Sequence, residues 1–417
     1  MTGLVLRKFV PFFYSLDDTT RFNFQIDALS AVSFGIFAGA FFPFFSITAV
    51  RLGASGMLLA LITAAPFMGQ LFAVYWGHRS DQGQKLPFVV SSGILSRVTL
   101  ILLALTHNVE LFALLIVLHF LFAAAGSPAY TALMKKIYPL QFRGQLMGKI
   151  QFVIGICRVA VTYFAGIWLD MYGYRSVFII AGIAGIISSL IYSRLDEPKE
   201  IINSDKKKFS LKSFVKVFRN DKMLKLAITG FFIFDLGNLI LAPVYPLIQV
   251  KYMGLTNFEI GHLSIFWILG WFITAPYWGK VVDHYDPIRT VIIAVLLFIG
   301  SPLIYLFNSP YYLLMVASFL GGAAGSSLEV GWLNMMINLG GENSSRYSGI
   351  YLTFLGIRGV IGPIIGNLLV AVVNPFSIFL ISIQILLLGL IPFIILIEKK
   401  KKAASKSDEM VTKSISA

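Results

Sequence analysis

The chain has 417 residues, of which 57% are hydrophobic and 13% charged, with a formal net charge of +14. A soluble chain carries roughly 25% charged residues, so a water-soluble globular protein is excluded. A membrane β-barrel is excluded too, because the apolar runs are continuous and do not alternate. The basic residues sit in the short loops between these runs and not on one helix face, which speaks against a nucleic-acid partner.

Each apolar run is about 20 residues long, enough to cross about 30 Å of hydrocarbon as a helix. In chain order, the first six spans are expected near 23–50, 56–77, 86–106, 110–134, 148–170 and 175–194. The stretch that follows is basic, with Lys206, Lys207 and Lys208. Its second part places Leu211, Phe214, Val215 and Phe218 at helical spacing opposite Lys212, Lys216 and Arg219. That pattern fits either an amphipathic helix on an anionic leaflet or a solvated linker. The second six spans are expected near 225–250, 257–279, 288–307, 310–338, 346–373 and 375–397, ahead of a basic tail. The domain expectation is therefore a first bundle over 1–195, a linker over 196–224, a second bundle over 225–398 and a disordered tail over 399–417.

Lys and Arg concentrate in alternate loops. The other loops hold only Arg51, Arg175 and Lys251. By the positive-inside rule both termini are expected in the cytoplasm. The first twenty residues contain Arg7, Lys8, Pro11, Asp17 and Asp18 and no small-residue cleavage pattern, so the first span is expected to remain as an anchor. The single cysteine, Cys157, has no intrachain cysteine to pair with.

The chain repeats itself at half-length. Ala73-Val74-Tyr75-Trp76-Gly77 leads to Asp81, and Ala275-Pro276-Tyr277-Trp278-Gly279 leads to Asp283. The two glycines are 279 − 77 = 202 residues apart. Phe120-Leu121 with Ala124-Ala125-Gly126-Ser127 matches Phe319-Leu320 with Ala323-Ala324-Gly325-Ser326. Gly155-Ile156-Cys157-Arg158 with Gly166 matches Gly356-Ile357-Arg358 with Gly366. A parallel repeat of this kind is a transporter architecture.

On these motifs the chain resembles the major facilitator superfamily over essentially its whole length. The family's loop signature runs Gly-x-x-x-Asp-Arg-x-Gly-Arg-Lys. Its first copy here is Gly77, Asp81, Gly83 and Lys85, with Gln82 in place of the usual arginine. The second copy keeps Gly279, Asp283 and Arg289 but has Asp286 where glycine is common. The resemblance implies an all-α integral membrane fold of twelve transmembrane helices in two pseudo-symmetric six-helix bundles. It also implies alternating access by rocking of the bundles around a central site. The signature loops would be cytoplasmic latches, with Gly77 and Gly279 allowing tight helix exits. By pseudo-symmetry Asp81 is expected near Arg346, and Asp283 near Arg143. Gly356, Gly359, Gly362, Pro363 and Gly366 resemble an antiporter motif, but that motif belongs in span five. Glycines four apart equally serve helix packing.

Ionisable groups inside a span cost several kcal/mol unless paired or wet, so they are candidate functional residues. Asp27, near the end of span one, is expected to reach the interface, and Arg97 in span three to be structural. Arg158 and Arg358 hold matching places in spans five and eleven. Together they fit a bidentate clamp for a carboxylate or phosphate. Alternatively each is locked in an ion pair, with Glu329 as the obvious mate of Arg358. Asp235 and Glu329 on spans seven and ten are candidate proton carriers. Asn238, Asn334 and Asn338 are candidate hydrogen-bonding groups for a polar substrate, or interhelical ties. His119 on span four is a candidate substrate ligand or proton relay, or a histidine bonded to a neighbouring helix. Pro43, Pro66, Pro128, Pro243, Pro246 and Pro276 are expected to interrupt spans one, two, four, seven and eight.

No Gly-x-x-x-x-Gly-Lys-Ser/Thr loop is present for ATP, and the five histidines lack metal-ligand or catalytic spacing. The expectation is a monomeric secondary transporter, not an enzyme, with no cofactor. Its partners would be the bilayer, a coupling proton and a small polar or amphipathic solute, with a lean toward an anionic group. The rival readings are an exporter of lipophilic or cationic compounds, for which the phenylalanines of span one are suited, and a non-transporting scaffold or sensor.

Overall fold

The computed structural model describes residues 16–72, 75–76, 79, 83–198, 217–284, 286–341 and 344–400. Eleven helices in these residues are long and apolar enough to cross a membrane, and a twelfth apolar helix, Gly56–Leu71, has 16 residues. The latter is the start of the expected second span, whose end reaches residues outside the described ones. The amphipathic stretch from Leu211 also falls largely outside them, as do Gly77 and Asp81.

Proline divides its effects unequally. Span one is Asp18–Phe41 followed by Phe45–Arg51, with the break at Pro43. Span seven is Lys222–Ile240, then Val244–Leu247 and a π turn over Ile248–Tyr252, with the break at Pro243. The prolines are 243 − 43 = 200 residues apart, so the break belongs to the repeat. Pro66, Pro128 and Pro276 instead lie inside continuous helices, against expectation. Helices in a membrane protein absorb a proline where neighbouring groups re-satisfy the freed backbone. Gly279 is likewise no helix exit, because its helix continues to His284.

The described residues form two compact units. The first comprises Met1–Gly53, Leu71–Lys207 and Thr256–Gly261; the second comprises Ala54–Gln70, Lys208–Leu255 and His262–Ala417. In the first unit, span one packs on span five (Leu140–Tyr172) and span six (Tyr174–Tyr192). Span three (Lys85–Leu105) packs on span four (Val109–Ile137) and on span six. The second unit repeats the scheme. Span seven packs on span eleven (Ser344–Val372) and on span twelve, and span nine (Pro287–Leu306) packs on span ten (Tyr311–Gly340) and span twelve. Span twelve begins at Pro375 and extends to Lys400.

Small residues set the closest approaches. A Cβ on Gly39 would lie 2.6 Å from the Arg158 carbonyl oxygen, and one on Gly366 would lie 2.0 Å from that of Ile240. Thr162 donates its hydroxyl to the Gly39 carbonyl at 3.0 Å. These contacts replace the hydrophobic drive that lipid removes. Large apolar side chains such as Leu102, Phe164, Ile183, Leu296 and Leu368 are left on the outside, as a hydrocarbon solvent permits.

Helix ends are tied down in the same way in both units. Glu197, just after span six, accepts the backbone N–H groups of Lys85 at 3.0 Å and Leu86 at 2.8 Å. It therefore caps the positive end of span three, and Lys136 pairs with it at 3.3 Å. Asn23 exchanges two hydrogen bonds with the Asp196 backbone, at 3.0 and 2.8 Å. In the second unit Asp286 caps span nine through the Ile288 N–H at 3.0 Å, and Lys400 at the end of span twelve binds it at 2.5 Å. Also within the first unit, Asp170 accepts the N–H groups of Asn257 and Phe258, each at 2.9 Å.

Candidate transport site

In the second unit, Asp235 and Arg358 form an ion pair between spans seven and eleven. Arg358 is 0% exposed and Asp235 5%. The guanidinium also lies 5.0 Å from the centre of the Tyr351 ring, and that ring stacks on Trp332 at 4.2 Å. The mate of Arg358 is thus Asp235 and not the expected Glu329. Burial decides this: two charges at membrane depth are stabilised by contact with each other. Glu329 instead sits exposed on its unit, with the Trp271 indole approaching it and no ion pair among the described residues.

Arg158 of the first unit is the counterpart of Arg358, since 358 − 158 = 200. The same offset from Asp235 leads to Gly35, since 235 − 35 = 200. Gly35 also faces span five, where an added Cβ would meet Cys157 and Ile154. Among the described residues no carboxylate pairs with Arg158, and glycine stands at the place equivalent to Asp235. It lies 5.7 Å from the Phe42 ring centre, and its Nε has no hydrogen-bond acceptor.

The other candidates scatter. His119 is 1% exposed and shares a 2.7 Å hydrogen bond with the Ser96 carbonyl of span three. The Phe41 and Phe120 rings pack on it at 4.7 and 5.1 Å. It is embedded in the first unit's interior. Asn334 donates to the Val330 carbonyl of its own helix at 2.9 Å, Asn238 is half-buried, and Asn338 is exposed. Arg143 donates to the carbonyls of Lys135 at 2.9 Å and Tyr138 at 3.1 Å, at the end of span four. Its anchoring is thus local. Arg289 is exposed, and Gly83 has nothing near the position of a Cβ. The Lys85 side chain is buried, and the side chains of Asp283 and Arg346 lie outside the described ones.

Two residues gain importance from the structure. Asp27 does not reach an interface: it is 4% exposed and accepts the Tyr138 hydroxyl at 2.8 Å. Arg97, 7% exposed, donates to the Ser96 hydroxyl at 2.5 Å and lies 3.8 Å from the Phe37 ring centre. The depth of Arg97 is legible in the sequence; that of Asp27 is not, nor is the cavity that both line.

Apolar spans packed twice on one plan, each set carrying an arginine at membrane depth, define a polytopic membrane transport protein. The chain belongs to the Major Facilitator Superfamily, whose model matches residues 28–237 and 227–417. It is a transporter and a multi-pass protein of the cell membrane. The chain is 23% identical to the quinolone resistance protein NorA of Staphylococcus aureus (strain MSSA476), over 93% of this chain and 100% of that protein. It is 23% identical to the multidrug resistance protein MdtG of Citrobacter koseri, over 84% of this chain and 88% of that protein. Among solved structures it is similar to the nucleoside transporter NupG, with a TM-score of 0.68, 12% identity and coverage of 90% and 98%. It is also similar to an inward-facing bacterial homolog of the lysosomal transporter Spinster, with a TM-score of 0.63, 14% identity and coverage of 91% and 96%.

Proposed function

We propose that this transporter exports amphipathic organic molecules, lipophilic cations among them, in exchange for protons. The observation that carries the reading is the difference between the two membrane-depth carboxylates of the second unit. Asp235 is neutralised by Arg358, whereas Glu329 is accessible, unpaired among the described residues and beside the Trp271 indole. An accessible carboxylate beside an indole N–H recognises a lipophilic cation chiefly by charge. The same carboxylate holds either a proton or the cation. That competition is the physical basis of exchange, since each ligand displaces the other.

The similarity to NorA and MdtG, named for quinolone and multidrug resistance, supports export. The two-arginine clamp for an anionic solute loses one arm, because Arg358 is already engaged. Arg158 keeps a second reading open, in which an anionic group of the substrate supplies the acid that Gly35 does not.

The test is transport by purified protein in liposomes with an imposed proton gradient. Tetraphenylphosphonium is the cationic probe and benzoate the anionic one. Gradient-driven tetraphenylphosphonium flux that Glu329→Gln abolishes supports the proposal. Benzoate flux that Arg158→Gln abolishes, with no cation flux, transfers the assignment to the second reading.

A further inference from the structure

The interior of the first unit holds a cavity of about 340 Å3, lined by spans one, three, four, five and six. Two opposite charges face it, Asp27 and Arg97, each more than nine-tenths buried. Neither has an ion-pair mate among the described residues. Asp27 has the Tyr138 hydroxyl, and Arg97 has the Ser96 hydroxyl and the Phe37 face. Arg97 Nε and the Tyr192 hydroxyl, both buried, have no hydrogen-bond partner among the described residues. Leaving such groups unmatched in an apolar interior costs several kcal/mol in total.

The two charges do not neutralise each other because they stand at different depths. The Arg97 guanidinium lies over Phe34 and Phe37 of span one, at 5.8 and 3.8 Å from the ring centres. Those rings are seven and ten residues beyond Asp27, or about 10–15 Å along the helix axis. Around Asp27 the cavity wall is aromatic: Tyr130 and Tyr192 line it, with ring centres 6.3 Å apart. A carboxylate beside two tyrosine rings suits an ammonium group. At the other end a lone guanidinium suits a carboxylate. Ser30, Ser92, Ser188 and Ser189 lie on the wall as well. Their hydroxyls are already bonded within the protein, to one another or to backbone carbonyls.

We propose that this cavity is a binding site for a small zwitterion. Its ammonium group sits on Asp27 and the tyrosines, and its acid sits on Arg97. Allowing about 3 Å of contact at each end, the ligand's two charges are about 4–9 Å apart. An α-amino acid is too short, and a flexible or aromatic ω-amino acid fits. The site lies wholly within the first unit.

The experiment is a thermal-unfolding titration of the full-length protein in detergent with four probes: ε-aminocaproate, caproate, hexylamine and glycine. Ligand that binds the folded protein raises its midpoint. The expected result is a rise with ε-aminocaproate, at a half-saturating concentration at least about tenfold below those of caproate and hexylamine, and none with glycine. Asp27→Asn and Arg97→Gln each lose that response. Should they fail to fold, Gln151→Trp decides. Gln151 is exposed at the edge of the cavity, so the indole narrows it without disturbing the interior, and the response is lost. Equal responses to the three six-carbon probes, no response in the wild type, or an undiminished response in Gln151→Trp would each overturn the proposal. A tetraphenylphosphonium response in the same variants reports separately on Glu329.

Discussion

Arg358 is joined to Asp235 across spans seven and eleven, while for its counterpart Arg158 the place equivalent to that aspartate holds a glycine, Gly35. One unit thus holds a buried ion pair where the other, among the described residues, has only the cation. Removing one member of a buried pair strands the other, at a cost of about 3–5 kcal/mol, whereas replacing both by apolar residues is often close to neutral. Arg358→Met and Asp235→Leu are each expected to lower the thermal midpoint sharply, and the double variant to recover most of the loss. Additive losses in the double variant would show that the pair is not the source of the effect.

Among the described residues Arg158 has no acid to strand. Arg158→Met is therefore expected to cost less stability than Arg358→Met, by at least about 2 kcal/mol. Chemical denaturation of the two variants in the same detergent provides the comparison.

Glu197 caps span three through two backbone N–H groups and also holds Lys136. Glu197→Ala is expected to cost about 1–2 kcal/mol, the usual value of a cap with charge. Faster amide exchange at Lys85 and Leu86, with little change in span five, is the local signature to measure.

Gly366 and Gly279 are expected to behave oppositely. An alanine methyl at Gly366 would overlap the Ile240 carbonyl, so Gly366→Ala should separate spans seven and eleven and destabilise the protein. At Gly279 the helix is continuous and the space is open. Gly279→Ala is expected to be neutral or to stabilise by about 0.5–1 kcal/mol. A Gly279→Ala protein that is stable but does not transport would locate the glycine's role in a different arrangement of the signature loop.

Much of the fold was legible in the sequence because membrane solvation writes it in long apolar runs. The repeat was equally visible, in Trp76-Gly77 against Trp278-Gly279 and in Arg158 against Arg358. Side-chain partners were not. Arg358 has acids on two spans within plausible reach, and only packing chooses Asp235 over Glu329. Asp27 looked interfacial because it is nine residues from the start of its helix; the Tyr138 ring that covers it comes from 111 residues away in sequence. The capping role of Glu197 was hidden for the same reason. A single carboxylate after a span carries no periodic signal, and its donors are the backbone N–H groups of a distant helix start.

The glycine contacts described above bear on how interchangeable the two halves are. Positions 39 and 162 correspond to 239 and 362, each 200 residues on. The first half sets Gly39 of span one against Thr162 of span five, and the second sets Leu239 of span seven against Gly362 of span eleven. The bulk has changed sides between copies. A chimera that carried span seven into the first half would set leucine against threonine, and the reverse exchange would set glycine against glycine. One graft overfills the seam and the other empties it. The unit of inheritance in this repeat is therefore the helix pair, and single spans have ceased to be spare parts for one another.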